Sequence, residues 1–414
     1  ETNNTCSGGV SVGFLDVNNV RTPLKTSGQY WGDYNTGVFY EIPKGSGLHS
    51  MFNGALWIGA KDSEGNLKVA AQTFRQNGDD FWPGPLDNDS TISSETCLAY
   101  DQHYSLLRSE VLAHKYAFEN DELDNYHIPE ALLSWPGNYY NEPNKTLAPF
   151  EDLNQNGIYE PKQGEYPAFD FDHSKNCRTN NILMGDQSIW WVLNDVGNVH
   201  AESESEYPLG IEIHMQAYAI SSNDALDNTT FYQHRLINKS NQELLEMYFG
   251  NFVDSDLGDY QDDYVGCHVT QGLGYTYNGD EFDGTSNGYG AHPPAIGVDY
   301  IQGPLAPLND GIDNDYDGEL DEEGEELRMT HFLHYNNITQ TADGNPETAS
   351  QYYQYLKGIW LDDLLLTFGF DGRDQGNPPC DFMYSGNTDP NFLGQTWTEV
   401  TSGNPPSNRR HTIS

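Results

Sequence analysis

The chain has 414 residues and a formal net charge of −44, from 63 acidic and 19 basic residues. This excess of negative charge excludes a nucleic-acid-binding surface and attachment to anionic membranes, because both require clustered basic side chains. Aromatic residues make up 13% of the chain, which an acidic disordered polypeptide would lack, so we expect it to fold. Repulsion at this charge destabilises a compact state, which bound cations would offset.

The first part of the chain is predicted to be mostly strands with one helix. The predicted strands are apolar or alternating runs bounded by turn residues: 38–43, 55–59 and 67–74. Residues 98–118 are predicted to be helical, since Tyr104, Leu107 and Val111 recur at roughly helical spacing.

Residues 147–172 are predicted to be a loop that carries oxygen donors in the register of an EF-hand calcium loop. The donors occupy positions one, three and five before Gly157: Asp152, Asn154 and Asn156. The remaining ligands would follow in the chain: the Ile158 carbonyl and the carboxylate of Glu160 or Glu165. The alternative is a turn held by side-chain hydrogen bonds of the asparagines, without metal.

Four strands are predicted in the middle of the chain: 188–193, 210–220, 230–238 and 244–253. The last two flank the polar turn 239–242 and are expected to form a hairpin. An acidic stretch follows, with Asp254, Asp256 and a hinge at Gly258, but without EF-hand register. Metal binding and a solvated loop are equally open there.

The strongest motif lies in residues 310–322. Asp313, Asp315 and Asp317 alternate with spacers, and Gly318 occupies the sixth position, where such a loop turns sharply. Alternation lets the carboxylates wrap around one hard cation, and Glu319 and Asp321 are further candidate ligands. The alternative is a solvated acidic turn. The sequence favours Ca²⁺ as the cofactor.

The predicted fold class is mainly β, with β-sandwich-like modules, long calcium-binding loops and a few short helices. A strand at 327–335, a helix at 352–360 and an irregular tail complete the chain. We expect three consecutive regions: a β-rich region 1–150 with one helix, a β-sandwich-like region 151–340 with the acidic loops, and a C-terminal region 341–414. No run of 18 apolar residues occurs, so no membrane span is expected.

Five widely spaced cysteines, with no CxxC pair, argue against a zinc site. We predict bridges between Cys97 and Cys177 and between Cys267 and Cys380. Four partners allow three connectivities, and buried reduced cysteines are an open alternative.

No HExxH, GxSxG, P-loop or GxGxxG motif occurs, so no enzymatic activity is predicted. Aromatic residues in loops could instead stack on sugar rings: Trp31, Trp82, Trp135, Tyr139 and Tyr140. A secreted carbohydrate-binding or carbohydrate-active protein is therefore the alternative function.

Five segments in order resemble large secreted Bacteroidetes proteins with a C-terminal type IX secretion sorting domain: 40–50, 54–59, 70–74, 81–86 and 311–318. The resemblance covers most of the chain. It implies export through the outer membrane and a calcium-rich, extracellular or cell-surface location. The sequence departs from that pattern because no sorting domain is recognisable, and Arg409 and Arg410 near the end favour the N-terminal part of a longer protein.

These observations together predict an extracellular, calcium-stabilised structural or adhesive protein. Its expected partners are further copies of itself or other cell-surface proteins, with glycans as the alternative. A sharper hypothesis is self-assembly into a filament or layer, in which residues 1–30 and the C-terminal tail add as strands to a neighbour's sheet.

Overall fold

The computed structural model describes residues 5–74, 77–168 and 185–414, and its fold is mainly β, which confirms the predicted class. The strands pair in antiparallel sheets. In the first part of the chain they are β1 (Val12–Leu15), β2 (Thr22–Lys25), β3 (Gln29–Tyr30), β4 (Gly32–Asp33), β5 (Val38–Glu41), β6 (His49–Met51), β7 (Asn53–Lys61), β8 (Leu67–Ala71), β9 (Trp82–Pro83), β10 (Tyr104–Leu107), β11 (Asn138–Tyr139), β12 (Glu142–Thr146), β13 (Phe150–Glu151) and β14 (Tyr166–Pro167). They continue with β15 (Gln187–Asn194), β16 (Ile211–Ala219), β17 (Thr230–Asn238), β18 (Leu245–Ser255), β19 (Asp263–His268), β20 (Leu273–Asn278), β21 (Phe282–Asp283), β22 (Gly290–Ala291), β23 (Ala295–Asp299), β24 (Phe332–Tyr335) and β25 (Arg409–Ile413).

The helices are short. They are α1 (Ser94–Ala99), α2 (Arg108–Glu119), α3 (Glu130–Leu133), α4 (Ala349–Leu356) and α5 (Glu399–Ser402). Single 3₁₀ turns lie at Leu123–Asn125, Pro161–Gln163, Ala225–Asn228, Val269–Gln271 and Pro390–Phe392. Among the residues described, none of the helices has the length and apolar character needed to cross a bilayer.

The chain forms two compact units, each built from several segments. Unit 1 contains Glu1–Ser46, Asp79–Val199 and Gly210–Asn241, and unit 2 contains Gly47–Gly78, His200–Leu209 and Gln242–Ser414. This division differs from the three consecutive regions expected from the sequence. The reason is long-range pairing: β7 pairs with β18, and β18 with β25.

Unit 1 is organised around β15, whose eight residues are all buried. It pairs with β9 and β10 on one side and with β16 on the other, and β16 pairs in turn with β17. Helix α2 packs Val111 into a cluster of buried aromatic and aliphatic side chains that includes Trp135 and Trp190. The predicted helix 98–118 is therefore shorter than expected, because Tyr104–Leu107 is the strand β10 and pairs with β15.

Unit 2 contains the antiparallel strand order β8-β7-β18-β25-β24. The Trp57 ring stacks on Phe252 with centroids 5.6 Å apart, and Tyr352 of α4 meets it edge-on at 4.7 Å. Helix α4 approaches β7 so closely that a Cβ on Gly59 would lie 2.5 Å from the Tyr353 ring. A larger residue at position 59 would displace the helix from the sheet.

Two sequence predictions about pairing are wrong. The expected hairpin of 230–238 with 244–253 does not form, because β17 pairs with β16 in unit 1 while β18 pairs with β7 and β25 in unit 2. The C-terminal tail is not irregular: β25 lies between β18 and β24 in its own sheet. Burial of its two arginines is made possible by ion pairs, Arg409 with Glu399 at 2.6 Å and Arg410 with Asp254 at 3.0 Å.

The cysteine pairing also differs from the prediction. Cys97 forms a disulfide with Cys6 in unit 1, so it is not the partner of Cys177, which lies outside the described residues. Within the described residues, Cys267 and Cys380 are free thiols, the first of them buried. Spacing along the chain could not identify Cys6 as the partner, since the bridge joins residues 91 positions apart.

A buried histidine pair in unit 2 predicts loss of stability in acid. His334 and His411 are direct cross-strand neighbours, and burial lowers the pKa of both to about 3. The unfolded chain takes up these protons near pH 6.5 and the folded chain does not. Stability is therefore complete above pH 6.5 and falls as the pH decreases, by about 2 kcal/mol per histidine between pH 6.5 and 5.

Substituting His411→Phe tests this expectation, since neither ring nitrogen of His411 has a hydrogen-bond partner among the residues that the structure describes. The free energy of unfolding lost between pH 7 and pH 5 should be about 2 kcal/mol smaller in the variant than in the parent protein. Denaturant titrations at the two pH values measure it, with His127→Phe as the exposed control. Equal losses in the parent and His411→Phe would contradict the assignment.

Candidate metal-binding loops

The first acidic loop, residues 152–165, has the hydrogen-bond pattern of an EF-hand-type turn. Oδ1 of Asp152 accepts the backbone N–H of Asn156 at 3.1 Å, and its Oδ2 accepts that of Gly157 at 2.7 Å. Oδ1 of Asn154 accepts the same Asn156 N–H, and Oδ1 of Asn156 accepts the N–H of Ile158. The three side chains thus curl around one centre.

Unit 1 holds this loop at its base and at its middle. Strands β13 and β14 pair at its two ends. Asn138 accepts the N–H of Tyr159 and donates to the carbonyl of Gly157, both at 2.7 Å. Gly137 lies so close that a Cβ there would be 2.5 Å from that of Tyr159. The Trp-Pro-Gly turn at 135–137 is therefore a support of the loop.

Glu165 provides the observation that points to a cation at the first loop. Its side chain is fully buried; Oε2 accepts the N–H of Glu160 at 2.7 Å, and the nearby N–H groups of Leu153 and Asn154 favour the charged carboxylate, while Oε1 is buried and has no hydrogen-bond partner among the described residues. Burial raises the pKa of Glu165, and the neighbouring Asp152 raises it further. A cation would satisfy the orphaned oxygen, so the residues present fit a hard metal ion.

Glu160, the other candidate for completing this shell, faces the asparagine amides. Its Oε2 accepts from Nδ2 of Asn154 at 3.1 Å and from Nδ2 of Asn156 at 2.8 Å. Glu160 therefore contacts Asn154 and Asn156, but among the described residues Asp152, Glu160 and Glu165 do not form a close group of three carboxylates. The carbonyl of Ile158 belongs to the same turn.

The second acidic loop, residues 310–325, repeats the geometry of the first in unit 2. Asp313 accepts the N–H groups of Asp317 and Gly318, Asp315 also accepts that of Asp317, and Asp317 accepts that of Glu319. The backbone matches too, because the fourth and sixth positions are left-handed in both loops: φ is 60° at Gln155 and 62° at Tyr316, and 75° at Gly157 and 98° at Gly318.

The second loop brings together two overlapping groups of carboxylates. Asp313, Asp315 and Asp317 place one oxygen each within 4.8 Å of one another, and Asp315 does the same with Glu322 and Glu325. Oε2 of Glu322 is buried and has no hydrogen-bond partner. Asp315 therefore belongs to both groups, and each group offers three carboxylates that fit a hard divalent cation.

The structure separates two predicted ligands from this set. The carboxylates of Glu319 and Asp321 are in neither group of the described residues, and Oδ1 of Asp321 instead accepts the N–H of Gly311 at 3.1 Å. Glu322 and Glu325 take their place, although they do not match the EF-hand spacing. The sequence shows that both residues are acidic, but it does not show that the chain after Asp321 brings them to Asp315.

In the third acidic segment, Asp254 and Asp256 have different surroundings. Asp254 pairs with Arg410, whereas Oδ1 of Asp256 is buried and has no hydrogen-bond partner. Burial raises the pKa of Asp256 to about 8, with the charge of Asp254 adding to the effect. Burial likewise raises the pKa of Asp263 to about 9.

Unit 1 contains a buried polar network that the sequence did not predict. Glu212 lies in β16 and is fully buried; it accepts from the backbone N–H of Leu86 at 2.7 Å and from the hydroxyl of Tyr139. His214 and Lys239 lie 2.8 and 3.5 Å from it. Burial opposes ionisation, but these partners outweigh it, and the pKa of Glu212 is lowered. Alternation along β16 could not identify these partners.

The aromatic residues proposed to stack on sugars are mostly unavailable. Trp31, Trp82 and Trp135 are 5%, 2% and 5% exposed, so their rings are part of the packing. Tyr139 is half-buried with its hydroxyl on Glu212, and Tyr140 is exposed. This arrangement gives no row of accessible rings on which a sugar could stack.

No family model matches the chain, and neither a curated protein nor a solved structure matches it. Its functional interpretation depends on the chemistry of the two acidic loops.

Proposed function

We propose that the chain is a calcium-stabilised structural or adhesive protein of an extracellular surface. The observation that carries this proposal is the repetition of one loop geometry in two units, each time beside a buried carboxylate oxygen that no described residue hydrogen-bonds. Two such loops favour Ca²⁺, because six to eight oxygen ligands are what this ion prefers.

The role of calcium in this proposal is mechanical. Each loop is long and has little apolar surface of its own, so a bound ion would supply the crosslinks that a hydrophobic core cannot. Each ion would also neutralise part of the net charge of −44. Asp152 and Glu165 would hold the ion in unit 1, and Asp315 would hold it in unit 2 together with either Asp313 and Asp317 or Glu322 and Glu325.

Two further observations support an extracellular location. The Cys6–Cys97 disulfide is of a kind that persists in oxidising compartments and is rare in the cytosol. The resemblance to type IX secreted Bacteroidetes proteins implies the same setting, where calcium is abundant. The partners would then be further copies of the chain or other surface proteins, and the function would be physical rather than catalytic.

The proposal does not include assembly in which the C-terminal tail adds as a strand to a neighbour's sheet. The C-terminal tail was expected to add to a neighbour's sheet, but β25 is already paired on both edges. Likewise β1 and β2, from the N-terminal segment, pair with each other. Self-association would therefore use the exposed surface or the edge strand β1 rather than the C-terminal tail.

Calcium removal tests the proposal. At a calcium concentration 100-fold above the dissociation constant, one site adds about 2.7 kcal/mol to the stability of its unit. For units of roughly 200 residues this raises the melting temperature by about 5–10 °C. Calorimetry in excess EGTA and after calcium is restored measures the shift, with magnesium at equal ionic strength as the control.

Sedimentation of the same samples tests self-association. Calcium-dependent growth in mass would support a role in assembly, whereas a monomer at all concentrations would remove the filament or layer from the proposal. Melting curves that coincide with and without calcium would remove the calcium-stabilised function itself.

A further inference from the structure

Three oxygen atoms that follow β18 and extend to the end of β20 in unit 2 are buried and have no hydrogen-bond partner in the described part of the chain. They are Oδ1 of Asp256, Oδ1 of Asp263 and Oδ1 of Asn278. All three side chains are more than nine-tenths buried, with exposures of 7%, 0% and 8%. Leaving such atoms unsatisfied costs about 1–3 kcal/mol each, and more for a charged group.

The backbone brings these three side chains together. Asp263 and Asn278 are direct partners in the β19–β20 ladder, so their side chains lie side by side on one face of the sheet. Asp256 and Asp263 bracket a tight loop, because the N–H of Leu257 donates to Oδ2 of Asp263 at 3.1 Å. The amide of Asn278 donates from Nδ2 to the Asp280 carbonyl, which leaves its Oδ1 as the available acceptor.

The neighbouring charged groups are already engaged elsewhere. Arg410 is bonded to Asp254 at 3.0 Å. Asp283 accepts the N–H of Asp259 at 3.1 Å and that of Tyr289 at 2.6 Å, so both its oxygens hold the backbone in place. Asp262, next to the group, has one more buried oxygen without a partner. The charge of Arg410 reaches Asp256, but among the described residues no hydrogen bond satisfies the three Oδ1 atoms.

We infer that Asp256, Asp263 and Asn278 form a third calcium site, buried in unit 2 and separate from the two acidic loops. All its ligands are oxygens, two of them carboxylates and one a neutral amide, which is the donor set of Ca²⁺. Backbone carbonyls and water would supply the remaining ligands, since among the described residues Asp262 does not form a close group of three carboxylates with Asp256 and Asp263. Asp254, which the sequence predicted as a ligand, is paired with Arg410 and is not assigned to the site.

This inference extends the proposed function but does not depend on the two loops. The site is enclosed, so its ion would exchange slowly and resist brief treatment with EGTA. It would fix the turn between β18 and β19, and with it the edge from which β20 and β23 continue the second sheet of the unit.

Calcium stoichiometry in a variant without functional loops tests the inference. Both loops are disabled together by the substitutions Asp152→Asn, Glu165→Gln, Asp313→Asn, Asp315→Asn and Asp317→Asn. Equilibrium dialysis against calcium, with metal analysis, should find one ion per chain. Adding Asp263→Asn or Asp256→Asn should reduce this to none, while Glu281→Gln, an exposed acid near the site, should leave one.

The substitution Asn278→Ala tests whether Asn278 is a calcium ligand, since it removes the amide oxygen without changing the charge of the site. It should weaken calcium binding in the loop-disabled chain about tenfold and reduce the calcium-dependent rise in melting temperature. A chain without loops that binds no calcium, or prefers magnesium, would overturn the inference. So would an Asn278→Ala variant whose melting temperature falls equally with calcium and EGTA.

The outcomes also separate this site from the two-loop proposal. If the parent protein binds one ion and the loop-disabled chain still binds one, the third site stands and the loops fail. If the parent protein binds two ions and the loop-disabled chain binds none, the loops stand and the third site fails.

Discussion

Substituting Asp315→Asn is expected to weaken calcium binding to the second acidic loop about 100-fold, equivalent to about 2.7 kcal/mol. Asp315 is the only residue shared by the two carboxylate groups found among the described residues. Its loss therefore removes a charged ligand from both groups, and calcium affinity depends strongly on the number of charged ligands. Isothermal titration of calcium into the variant and the parent protein measures the change.

Two companion variants make the Asp315 result specific. Asp321→Asn removes the same charge from the same loop, but its carboxylate bonds to Gly311, so the affinity should change less than threefold. Glu325→Gln should weaken binding at least tenfold, although the EF-hand spacing does not include this residue. If Asp321→Asn weakened calcium binding more than Glu325→Gln, the ligands predicted from EF-hand spacing would describe the site better than those that the structure brings together.

Removing the disulfide with Cys6→Ala is expected to destabilise unit 1 by about 4–5 kcal/mol. The bridge closes a loop of 91 residues, and the chain-entropy model gives a cost of this size for opening it. Both cysteine side chains are buried together with Trp82, so some packing is lost as well. Denaturant unfolding under oxidising conditions, followed by tryptophan fluorescence, measures the difference.

Cys380→Ala is the matched control for the disulfide, because Cys380 is a free, partly exposed thiol in unit 2. It should change the free energy of unfolding by less than about 1 kcal/mol. Dithiothreitol should lower the stability of the parent protein to that of Cys6→Ala and leave Cys6→Ala unchanged. A Cys6→Ala variant as stable as the parent protein would show that the backbone bond from Cys6 to Gly197 is sufficient to hold this segment.

The calcium loop and the disulfide both stabilise the fold at specific points. Unit 1 has a covalent crosslink and an acidic loop, while unit 2 has an acidic loop, a buried group of oxygens and the ion pairs of β25. A chain with a net charge of −44 and only 36% hydrophobic residues is thus stabilised by specific crosslinks and ion pairs in addition to its apolar core. Calcium and oxidising conditions, both found outside cells, would allow the calcium sites to fill and the disulfide to persist.

The sequence by itself determined the local features. The two EF-hand-type loops were recognisable because their geometry depends on contiguous residues: alternating oxygen donors that accept nearby N–H groups, and a glycine at the sixth position. Strands such as β7, β15 and β16 were predicted correctly in type because their apolar pattern is a property of short segments. The mainly β class followed from the same evidence.

Only the tertiary structure decided which distant residues meet. The sequence could not pair Cys6 with Cys97, insert β25 between β18 and β24, or place Glu325 beside Asp315. Each of these depends on contacts between segments separated along the chain, where many pairings satisfy the same local pattern. The buried oxygens of Asp256, Asp263 and Asn278 belong to this class too, because strand register, not spacing, brings them together.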